Sequence, residues 1–517
     1  MLFGANRIRK IIGVILMLAM LVVATALFFP QHYEKVITTS GWKIQGLSIS
    51  SENGYIHIGW DEIYASNLDG IQIEIKNDQG EQVLLKECHP GTTEYKFSQG
   101  VHGTAYNISV GFVLTDGEVC KSPVSRTVFL DFSSIKGVPL FNINTVDGAN
   151  PTYDVAKAPN GCWGVGTKNN EYCGAEMMIY NDGLADYYST IEIKVRGNTS
   201  ATADKKSYRI KTKSPANLLD LKDTQYPDKE WVLLAAPDFR FLVGNEIAKI
   251  CGMKWQPEYQ FVNLMLNGRY MGCYWLTEAV DDAVRNYDIE ETGYIIECDA
   301  YWWNSNEEYF KIDNQIYQMG YTFKYPRFSE MDAEKIASIQ NHLNTSVTYL
   351  KANDSRYTDY IDIESWASWL LTHDILGTAD AGGSNMFYYK QNLNENDILS
   401  SKIKMGPVWD FDTSFWYKDG WSRIRLSEHG YFPLLLKRPE FAEVYKQSWQ
   451  EVSGNLAQEV DDRICSFVGQ NLEAINHSFY LDGVRWKKSA TTLEGQRTFF
   501  RDMIDQRIKW LQSSLNY

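Results

Sequence analysis

Residues 365–416 decide the fold of the larger part of this chain, because they alternate apolar segments with polar turns. In order they read SWASWLLTHDILG (365–377), TADAGGSN (378–385), MFYYK (386–390), KIKM (402–405) and GPVWDFDTSFW (406–416). The first segment has helical spacing, the second has the composition of a turn, and the next two have the composition of strands. The stretch therefore predicts a helix, a polar turn and two strands that lead into an acidic turn.

Oxygen-bearing side chains lie at the ends of these predicted elements. They are Asp380, Asn385, Asp410 and Asp412. Hard cations such as Mg²⁺ and Mn²⁺ prefer oxygen ligands, and apolar packing on either side can hold such ligands still. The stretch therefore predicts a site that binds a metal ion together with phosphate groups.

The composition of the whole chain limits the class of protein. Its 517 residues are 44% hydrophobic, and 50 Lys and Arg against 65 Asp and Glu give a formal net charge of −15. A chain of this length and composition supports about two to four domains with substantial cores. A strongly acidic chain lacks the clustered cations that neutralise nucleic-acid phosphates, so DNA and RNA are excluded as partners.

Residues 1–30 have the pattern of a membrane or export segment. A basic stretch at 7–10 precedes an uncharged run at 11–29. This run just spans a bilayer, and the preceding positive charges favour a cytoplasmic N-terminus, so we predict a single-pass transmembrane anchor. A cleavable signal peptide is the alternative, with the small residues at 24–26 as its cleavage site. In either case the rest of the chain is expected outside the cytoplasm, tethered to the membrane or secreted.

Residues 41–132 alternate apolar and polar side chains over short runs such as YIHIGW and IQIEIKND, separated by turn dipeptides. This pattern predicts a small all-β sandwich. The segment resembles a fibronectin type III module, with Trp60 in an early core strand and Tyr106 near the start of a later one. Modules of this kind usually act as spacers.

Eight cysteines suit an exported protein, because disulfides persist in oxidising compartments. Cys88 and Cys120 lie in the same β-rich segment, and Cys162 and Cys173 bracket a turn rich in Gly and Asn, so two local disulfides are predicted. The sequence contains no CxxC pair, which argues against a zinc ribbon.

A second, larger domain is predicted over residues 139–517. Within it, the strands IEIKV and YRIKT are joined by the loop RGNTSATADKK at 196–206. Such a loop can fold its backbone amides over phosphates, and a lysine at the start of the returning strand can reach the phosphate oxygens. On strand alternation Lys206 shares the face of Tyr208, so Lys206 is favoured over Lys205 as the inward lysine.

Further along, Asn267-Gly268 predicts a tight β-hairpin. Its second strand ends at Glu278, and the next predicted strand carries Glu297 and Asp299. A buried carboxylate needs a partner, such as Lys206 or a metal ion.

Two regions have helical spacing. In the segment 365–377, Trp366, Trp369 and His373 fall on one apolar face. A histidine in that position is expected to be a hydrogen-bonded core residue rather than a ligand. The tail from about residue 432 also has helical spacing and is predicted to be a supporting helical lobe.

The order of these motifs resembles the spore-coat CotH kinases, a family of atypical secreted protein kinases. The matching pieces, which follow one another across residues 139–517, are VRGNTS…KKSYRIKTK, WVLLAAPDFRFLVGNEIA, FVNLMLNGRYMGCYWLTEAV, GYIIECD, TADAGGSNMFYYK and KMGPVWDFDTSFW. The resemblance implies an α+β chain in which a divergent kinase-like domain follows the β-sandwich and the N-terminal transmembrane segment. It also implies binding of ATP with Mg²⁺ or Mn²⁺ and phosphorylation of Ser or Thr on exported, surface or spore-coat proteins.

The resemblance implies roles for individual residues. Those implied for nucleotide binding are Arg196, Asn198, Lys205, Lys206 and Glu278. Asp380 is implied as the catalytic base or a metal ligand, with Lys206 fixing the phosphates. Those implied as metal ligands are Asp410, Asn385 and Asp412. Thr378 departs from the family pattern, which often has Asn there, and Asn385 is the amide expected to replace it.

ATP is scarce outside cells, so other classes of protein stay open. Aromatic residues are abundant, and several tryptophans could stack on sugar rings as they do in a surface carbohydrate-binding or scaffold protein without activity. These are Trp302, Trp303, Trp409, Trp416 and Trp421. Two carboxylates such as Glu278 and Asp410 are also the residue types of a glycoside hydrolase, although no spacing identifies one.

Overall fold

The computed structural model divides the chain into two compact units. The residues that it describes are 37, 44–162, 164–222, 227–235, 238–280, 283–304, 308–378, 380–394, 397–415, 425–489 and 491–515. Described residues up to 129 form the first unit, except 51–54 and 101–103, which belong with the second unit from 130 onwards. The anchor predicted at 1–30 lies outside the described residues. Within the described ranges, no helix combines the length and the apolar character that crossing a membrane requires.

The N-terminal part forms two antiparallel β-sheets, as its alternation predicts. Its strands are β1 (Ser48–Glu52), β2 (Tyr55–Gly59), β3 (Leu68–Lys76), β4 (Gln82–Cys88), β5 (Glu94–Phe97), β6 (Ala105–Leu114), β7 (Val119–Lys121) and β8 (Ser125–Val128). One sheet has the order β1-β2-β5, and the other has the order β4-β3-β6-β7 with β8 also paired to β6. Trp60 and Tyr106 are buried in the core that side chains from both sheets form.

Neither predicted disulfide is formed in this structure, in which all eight cysteines are free, and the strand order rules out the pair between Cys88 and Cys120. In the second sheet, directly paired residues on four adjacent strands are, in order, Cys88 on β4, Ile71 on β3, Phe112 on β6 and Cys120 on β7. Three inter-strand spacings of about 4.8 Å therefore separate the two cysteines, whereas a disulfide needs Cα atoms within about 7 Å. Cys162 is also unpaired, and the Cys173 thiol donates to the carbonyl of Ile193 at 3.3 Å.

The larger unit begins with a closed β-barrel. The strands of this region are β9 (Leu140–Thr145), β10 (Asp154–Lys157), β11 (Val165–Lys168), β12 (Cys173–Asn181), β13 (Leu184–Arg196), β14 (Ser207–Ala216), β15 (Asp228–Leu234), β16 (Tyr259–Leu266) and β17 (Arg269–Glu278). The barrel order is β12-β13-β14-β15-β17-β16-β9, and β10 pairs with β11 in a separate hairpin. Alternate residues of the barrel strands, such as Ile193, Tyr208 and Trp231, fill its interior.

A second sheet and a set of helices, ten of them within the described residues, make up the rest of the larger unit that the structure describes. The sheet strands are β18 (Tyr294–Asp299), β19 (Tyr309–Phe310), β20 (Gly320–Tyr325), β21 (Met386–Lys390) and β22 (Lys404–Met405), in the order β19-β20-β18-β21-β22. The described helices are α1 (Arg240–Ile250), α2 (Ala283–Asn286), α3 (Ala333–Lys351), α4 (Tyr357–Tyr360), α5 (Ile363–Leu376), α6 (Phe432–Leu435), α7 (Pro439–Val452), α8 (Leu456–Val468), α9 (Leu472–Trp486) and α10 (Leu493–Leu515). The predicted helical tail therefore corresponds to α6–α10.

Helix α5 presents the turn that follows it. Asp362 caps its start by accepting the Ser365 amide, and Gly377 ends it in the left-handed conformation with φ +61°. Gly377 is suited to this position because it has no Cβ to clash. His373 is buried on α5, and its Nδ1 lies 3.1 Å from the Thr378 hydroxyl, which confirms that it is a hydrogen-bonded core residue.

Buried His342 on α3 should make the protein less stable in acid. Burial is the main reason that its pKa falls to about 3, and the nearby Lys390 charge acts in the same direction. The unfolded chain takes up a proton below about pH 6.5, whereas the folded protein does not until about pH 3, so stability falls as the pH drops below 6.5. Between pH 7.5 and 5.0 this histidine should remove about 2 kcal/mol.

Urea denaturation of the protein and of His342→Phe at both pH values measures this contribution. The variant should lose about 2 kcal/mol less stability than the original protein over the same interval. Equal losses in the two proteins would mean that His342 is protonated in the fold.

Candidate active site

Three acids from two separate segments meet at the end of α5. Asp380 lies in the turn after this helix, and Asp410 and Asp412 lie in the WDFD turn after β22. One carboxylate oxygen from each falls within 4.8 Å of the others. Asp380 and Asp410 are half-buried and Asp412 is exposed. We call these three residues the acidic cluster.

Buried aromatic rings alternate with the acids of the WDFD turn and fix them in place. Trp409 and Phe411 are 7% and 2% exposed, and both rings make edge-to-face contacts with Phe241 of α1. Gly244, one turn further along α1, allows the Phe411 ring to approach, since a Cβ there would overlap it. Asp410 itself has φ +64°, an uncommon conformation for a residue with a side chain. The packing of its neighbours therefore determines the direction of its carboxylate.

Burial and mutual repulsion make the acidic cluster favour a proton or a cation. Burial is the main cause that raises the pKa of Asp410 well above its usual value, and the charges of Asp412 and Asp380 add to it. The pKa values of Asp380 and Asp412 are also raised, mainly because neighbouring protein atoms displace water from around their carboxylates, although the Asp412 residue as a whole is exposed. The Thr413 hydroxyl donates to Asp380 Oδ1 at 2.5 Å and partly offsets the shift of Asp380.

The 196–206 loop reaches the acidic cluster through Arg196. Its guanidinium carbon lies 5.5 Å from the centre of the Trp409 ring, and its positive charge offsets part of the rise in the pKa of Asp410, which follows Trp409. Within the loop, Thr199–Thr202 form a 3₁₀ turn, and Asn198 is the N-cap residue that precedes it. Arg196 is therefore the basic residue of the loop whose charge acts on the WDFD turn, and the implied nucleotide-binding roles of the loop residues stay predictions.

The preference for Lys206 over Lys205 as the inward lysine is wrong. Lys205 is 8% exposed and pairs with Asp482 of α9, whereas Lys206 is half-exposed and donates to the Ala203 carbonyl at 2.6 Å. Strand alternation does not extend to these lysines, since β14 begins only at Ser207.

Glu278 has partners other than the lysines of the loop and lies far from Lys205. Its Oε2 accepts the Glu258 amide at 2.9 Å, and its Oε1 lies 3.2 Å from the Arg285 guanidinium. Lys205 contacts Cys273, five residues earlier on β17, and five residues of extended strand span about 16 Å. The implied role of Glu278 at the lysine is therefore corrected to a local ion pair with Arg285.

Glu297 on β18 is a buried acid whose partner the sequence did not reveal. Lys324 on β20 lies 2.7 Å from its Oε2. Burial raises the pKa of Glu297 to about 7, and the charges of Lys324 and Arg196 act in the opposite direction. Lys324 could have been found only from the pairing of β18 with β20, because the polar faces of short strands look alike in sequence.

The other candidate residues have the following positions. Asn385 precedes β21 with φ +54°, and its role as a ligand stays a prediction. The ring of Trp302 has the Lys311 ammonium 3.8 Å from its centre, and Trp409 is buried. Two further tryptophans of the carbohydrate alternative, at 416 and 421, lie outside the described residues.

The acidic cluster fits a divalent cation. Its donors are hard carboxylate oxygens close enough to share one ion, and Mg²⁺ and Mn²⁺ prefer such ligands. A bound cation would also offset the repulsion from Asp412 and Asp380, which adds to the effect of burial on the pKa of Asp410. The donor set therefore agrees with a metal site.

Comparison with known families identifies the larger unit. Residues 193–511, more than half of the chain, match the family model described as CotH kinase protein. The chain belongs to the CotH kinase family. The CotH region contains the barrel strands from β14, the acidic cluster and nearly all of the helical tail, so a kinase-like domain follows the N-terminal β-sheets in a mixed α+β chain. Membership of a kinase family implies the use of ATP and a divalent metal in general.

Solved structures also match this CotH-family chain. A crystal structure of the Helicobacter pylori proinflammatory kinase CtkA matches at 9% identity and a TM-score of 0.25, covering 70% of this chain and 98% of that one. The solution structure of the fn3 domain of human contactin 1 matches at 10% identity and a TM-score of 0.17, covering 19% of this chain and 85% of that one. No curated protein matches the chain.

Proposed function

We propose that this chain is an exported protein kinase that transfers the γ-phosphate of ATP to Ser or Thr of an exported, surface or spore-coat protein. It would act from a membrane-tethered or secreted position, with Mg²⁺ or Mn²⁺ as its metal. The observation that carries the proposal is the meeting of Asp380, Asp410 and Asp412 beside Arg196. Acids for metal and proton transfer beside a cation for phosphate are the parts that phosphoryl transfer needs.

Asp380 is assigned as the general base. The Thr413 hydroxyl orients its carboxylate, and burial raises its pKa towards the range in which a carboxylate can take up a proton. The proton of the attacking Ser or Thr hydroxyl would pass to this carboxylate. A base of this kind contributes about 10²–10⁴-fold to the rate.

Asp410 and Asp412 are assigned as the carboxylates that would hold Mg²⁺ or Mn²⁺, with Asn385 as the predicted amide ligand. When bound, the cation supplies positive charge that neutralises the β- and γ-phosphates. Arg196 provides the chain's own positive charge at the same place, and its planar guanidinium can bind two phosphate oxygens at once.

A transfer assay tests the proposal. The full-length chain in detergent micelles is incubated with [γ-³²P]ATP, Mn²⁺ or Mg²⁺ and casein, and labelled residues are identified by mass spectrometry. Metal-dependent phosphoserine or phosphothreonine is expected, and Asp380→Asn should lower the rate by about 10²–10⁴-fold. Asp380→Asn should still be stabilised by ATP with Mn²⁺ in a thermal-shift experiment, since it lacks only the base. Equal labelling by both proteins would reject the assignment of Asp380.

A further inference from the structure

The loop 197–206 is attached to the rest of the larger unit along its length. The Thr167 hydroxyl donates to the carbonyl of Gly197 at 3.3 Å, and the Tyr301 hydroxyl lies 2.7 Å from that of Thr199. Ala201 is fully buried, and its carbonyl accepts a hydrogen bond from the Tyr153 hydroxyl at 2.6 Å. The last attachment is Lys205, the residue before the last of the loop, which is 8% exposed. Residues 202–204 between Ala201 and Lys205 are exposed, so the position of the end of the loop depends on Lys205.

Lys205 ends in a closed network of buried partners. Its ammonium group contacts Asp482 Oδ1, donates to the Cys273 carbonyl at 2.6 Å and lies 4.6 Å from the centre of the Tyr274 ring. The same Asp482 oxygen accepts the Cys273 amide at 3.0 Å, and Asp482 is 5% exposed. Gly272, at φ +95°, leaves the room for this carboxylate, because a Cβ there would overlap it. Lysine, strand and helix therefore form one hydrogen-bonded unit.

Because its ammonium group is occupied by these partners, Lys205 is not placed to bind phosphate, the role that the family resemblance implied. Its charge is neutralised by a carboxylate 277 residues away in the sequence, inside the contact of β17 with α9. Arg196, at the other end of the loop, is the cation whose charge acts on Asp410. Arg196 before the loop and Lys205 near its end therefore have different environments. Lys205 is buried and paired with a carboxylate, whereas Arg196 lies beside the acidic cluster.

We propose that Lys205 and Asp482 are positioning residues, which fix the 197–206 loop to β17 and α9 so that Arg196 is held beside the acidic cluster. The expected effect on phosphoryl transfer rests on the proposed function. The inference also means that α9 of the helical tail helps to position the loop. Loosening the anchor should displace Arg196 and the loop amides. Because Arg196 would bind phosphate oxygens both before and during transfer, its displacement should weaken ATP binding more than it slows the chemical step.

Hydrogen exchange of the full-length chain tests the anchor. In Asp482→Asn, amides at 197–206 should exchange about tenfold faster than in the original protein. The matched control is Asp461→Asn, which breaks the ion pair of another buried carboxylate with Arg497 in the same helical tail. The control should leave exchange at 197–206 within about twofold of the original. In the transfer assay, Asp482→Asn should raise the apparent KM for ATP about tenfold and change kcat less than about threefold.

If Asp482→Asn does not fold, a double variant tests the same anchor. Lys205→Met with Asp482→Leu removes both buried charges, and such replacements often keep stability. Loop exchange should again be about tenfold faster, since the directional bond to the Cys273 carbonyl is lost. Loop exchange within about twofold of the original in the folded variants would overturn the proposal. Absence of transfer by the original protein would reject the kinase function instead, and the exchange result would still decide whether the anchor exists.

Discussion

Asp410→Asn is expected to abolish phosphoryl transfer and, in metal-free buffer, to raise the melting temperature of the same protein. Asp410 has the carboxylates of Asp380 and Asp412 within 4.8 Å, and burial together with these charges raises its pKa. At that separation two full charges repel by about 3 kcal/mol at an effective dielectric of about 20, which is an upper bound on the relief. A neutral amide of the same shape removes part of this repulsion, so we expect a gain of about 2–4 °C.

With metal and nucleotide present, Asp410→Asn should instead have a lower melting temperature than the original protein. The original protein should gain stability with Mn²⁺ and ATP, whereas Asp410→Asn should gain little, because it has lost a carboxylate ligand. Transfer of ³²P from ATP should fall by about 10³-fold or more, because positioning and charge neutralisation supply most of the rate. Differential scanning fluorimetry in EDTA and in Mn²⁺ with ATP measures both signs.

The control for this experiment is Asp502→Asn, the same chemical change at an exposed position of α10. It should leave the melting temperature and the transfer rate unchanged in both buffers. A lower melting temperature of Asp410→Asn in EDTA would show that the acids of the cluster do not repel one another. Undiminished transfer would remove Asp410 from the metal site.

Features set by a few neighbouring residues could be predicted from the sequence. The hairpin between β16 and β17 forms on Asn267-Gly268, where φ is +50° and +69°, because these two residue types tolerate positive φ. Helix α5 ends at Gly377 for the same reason. The acids of the cluster were also predicted, since their order along the chain follows the family motif and each lies at the end of an apolar element.

The inward lysine was predicted wrongly from strand alternation, and the disulfide between Cys88 and Cys120 was predicted wrongly from position in the sequence. Both depend on where strands begin and how they are ordered, which the sequence does not give. Lys205 and Lys206 precede β14, so the alternation of that strand does not decide which of them is buried. The cysteines at 88 and 120 lie in one sheet, but its strand order inserts β3 and β6 between them. Position along the chain indicates membership of a sheet and gives no distance across it.

Partners far apart in sequence were not predictable from local pattern. Asp482 lies in LDGVRW, an ordinary helical segment, and only the packing of α9 on β17 places it against Lys205. Buried Arg507 on α10 is a second case, since its own segment, DQRIKW, has the composition of a surface helix. The sequence therefore predicted the acids that meet in the cluster better than the buried residues that pair with distant segments.

Arg507→Met should destabilise the larger unit by about 3–5 kcal/mol. Arg507 is fully buried, and its Nε donates to the Asp374 carbonyl in the last turn of α5 at 2.7 Å. The Asp374 carboxylate accepts the Ser427 amide at 3.1 Å and the Tyr445 hydroxyl at 2.8 Å. Methionine fills much of the same space but leaves this carbonyl and carboxylate without the positive charge. The turn that carries Asp380 begins directly after this helix, so transfer activity should fall together with stability.

Lys509→Met on the same helix is the matched control, because Lys509 is exposed and its loss should change stability by less than about 0.5 kcal/mol. Urea denaturation of the three proteins gives the free energies of unfolding, provided that the slope against urea stays the same. A loss below about 1 kcal/mol for Arg507→Met would mean that the buried guanidinium contributes little, as replaceable buried ion pairs do. The large loss that we expect follows from what stays behind in the variant, which is a buried carbonyl without its guanidinium donor and a buried Asp374 carboxylate without the nearby positive charge.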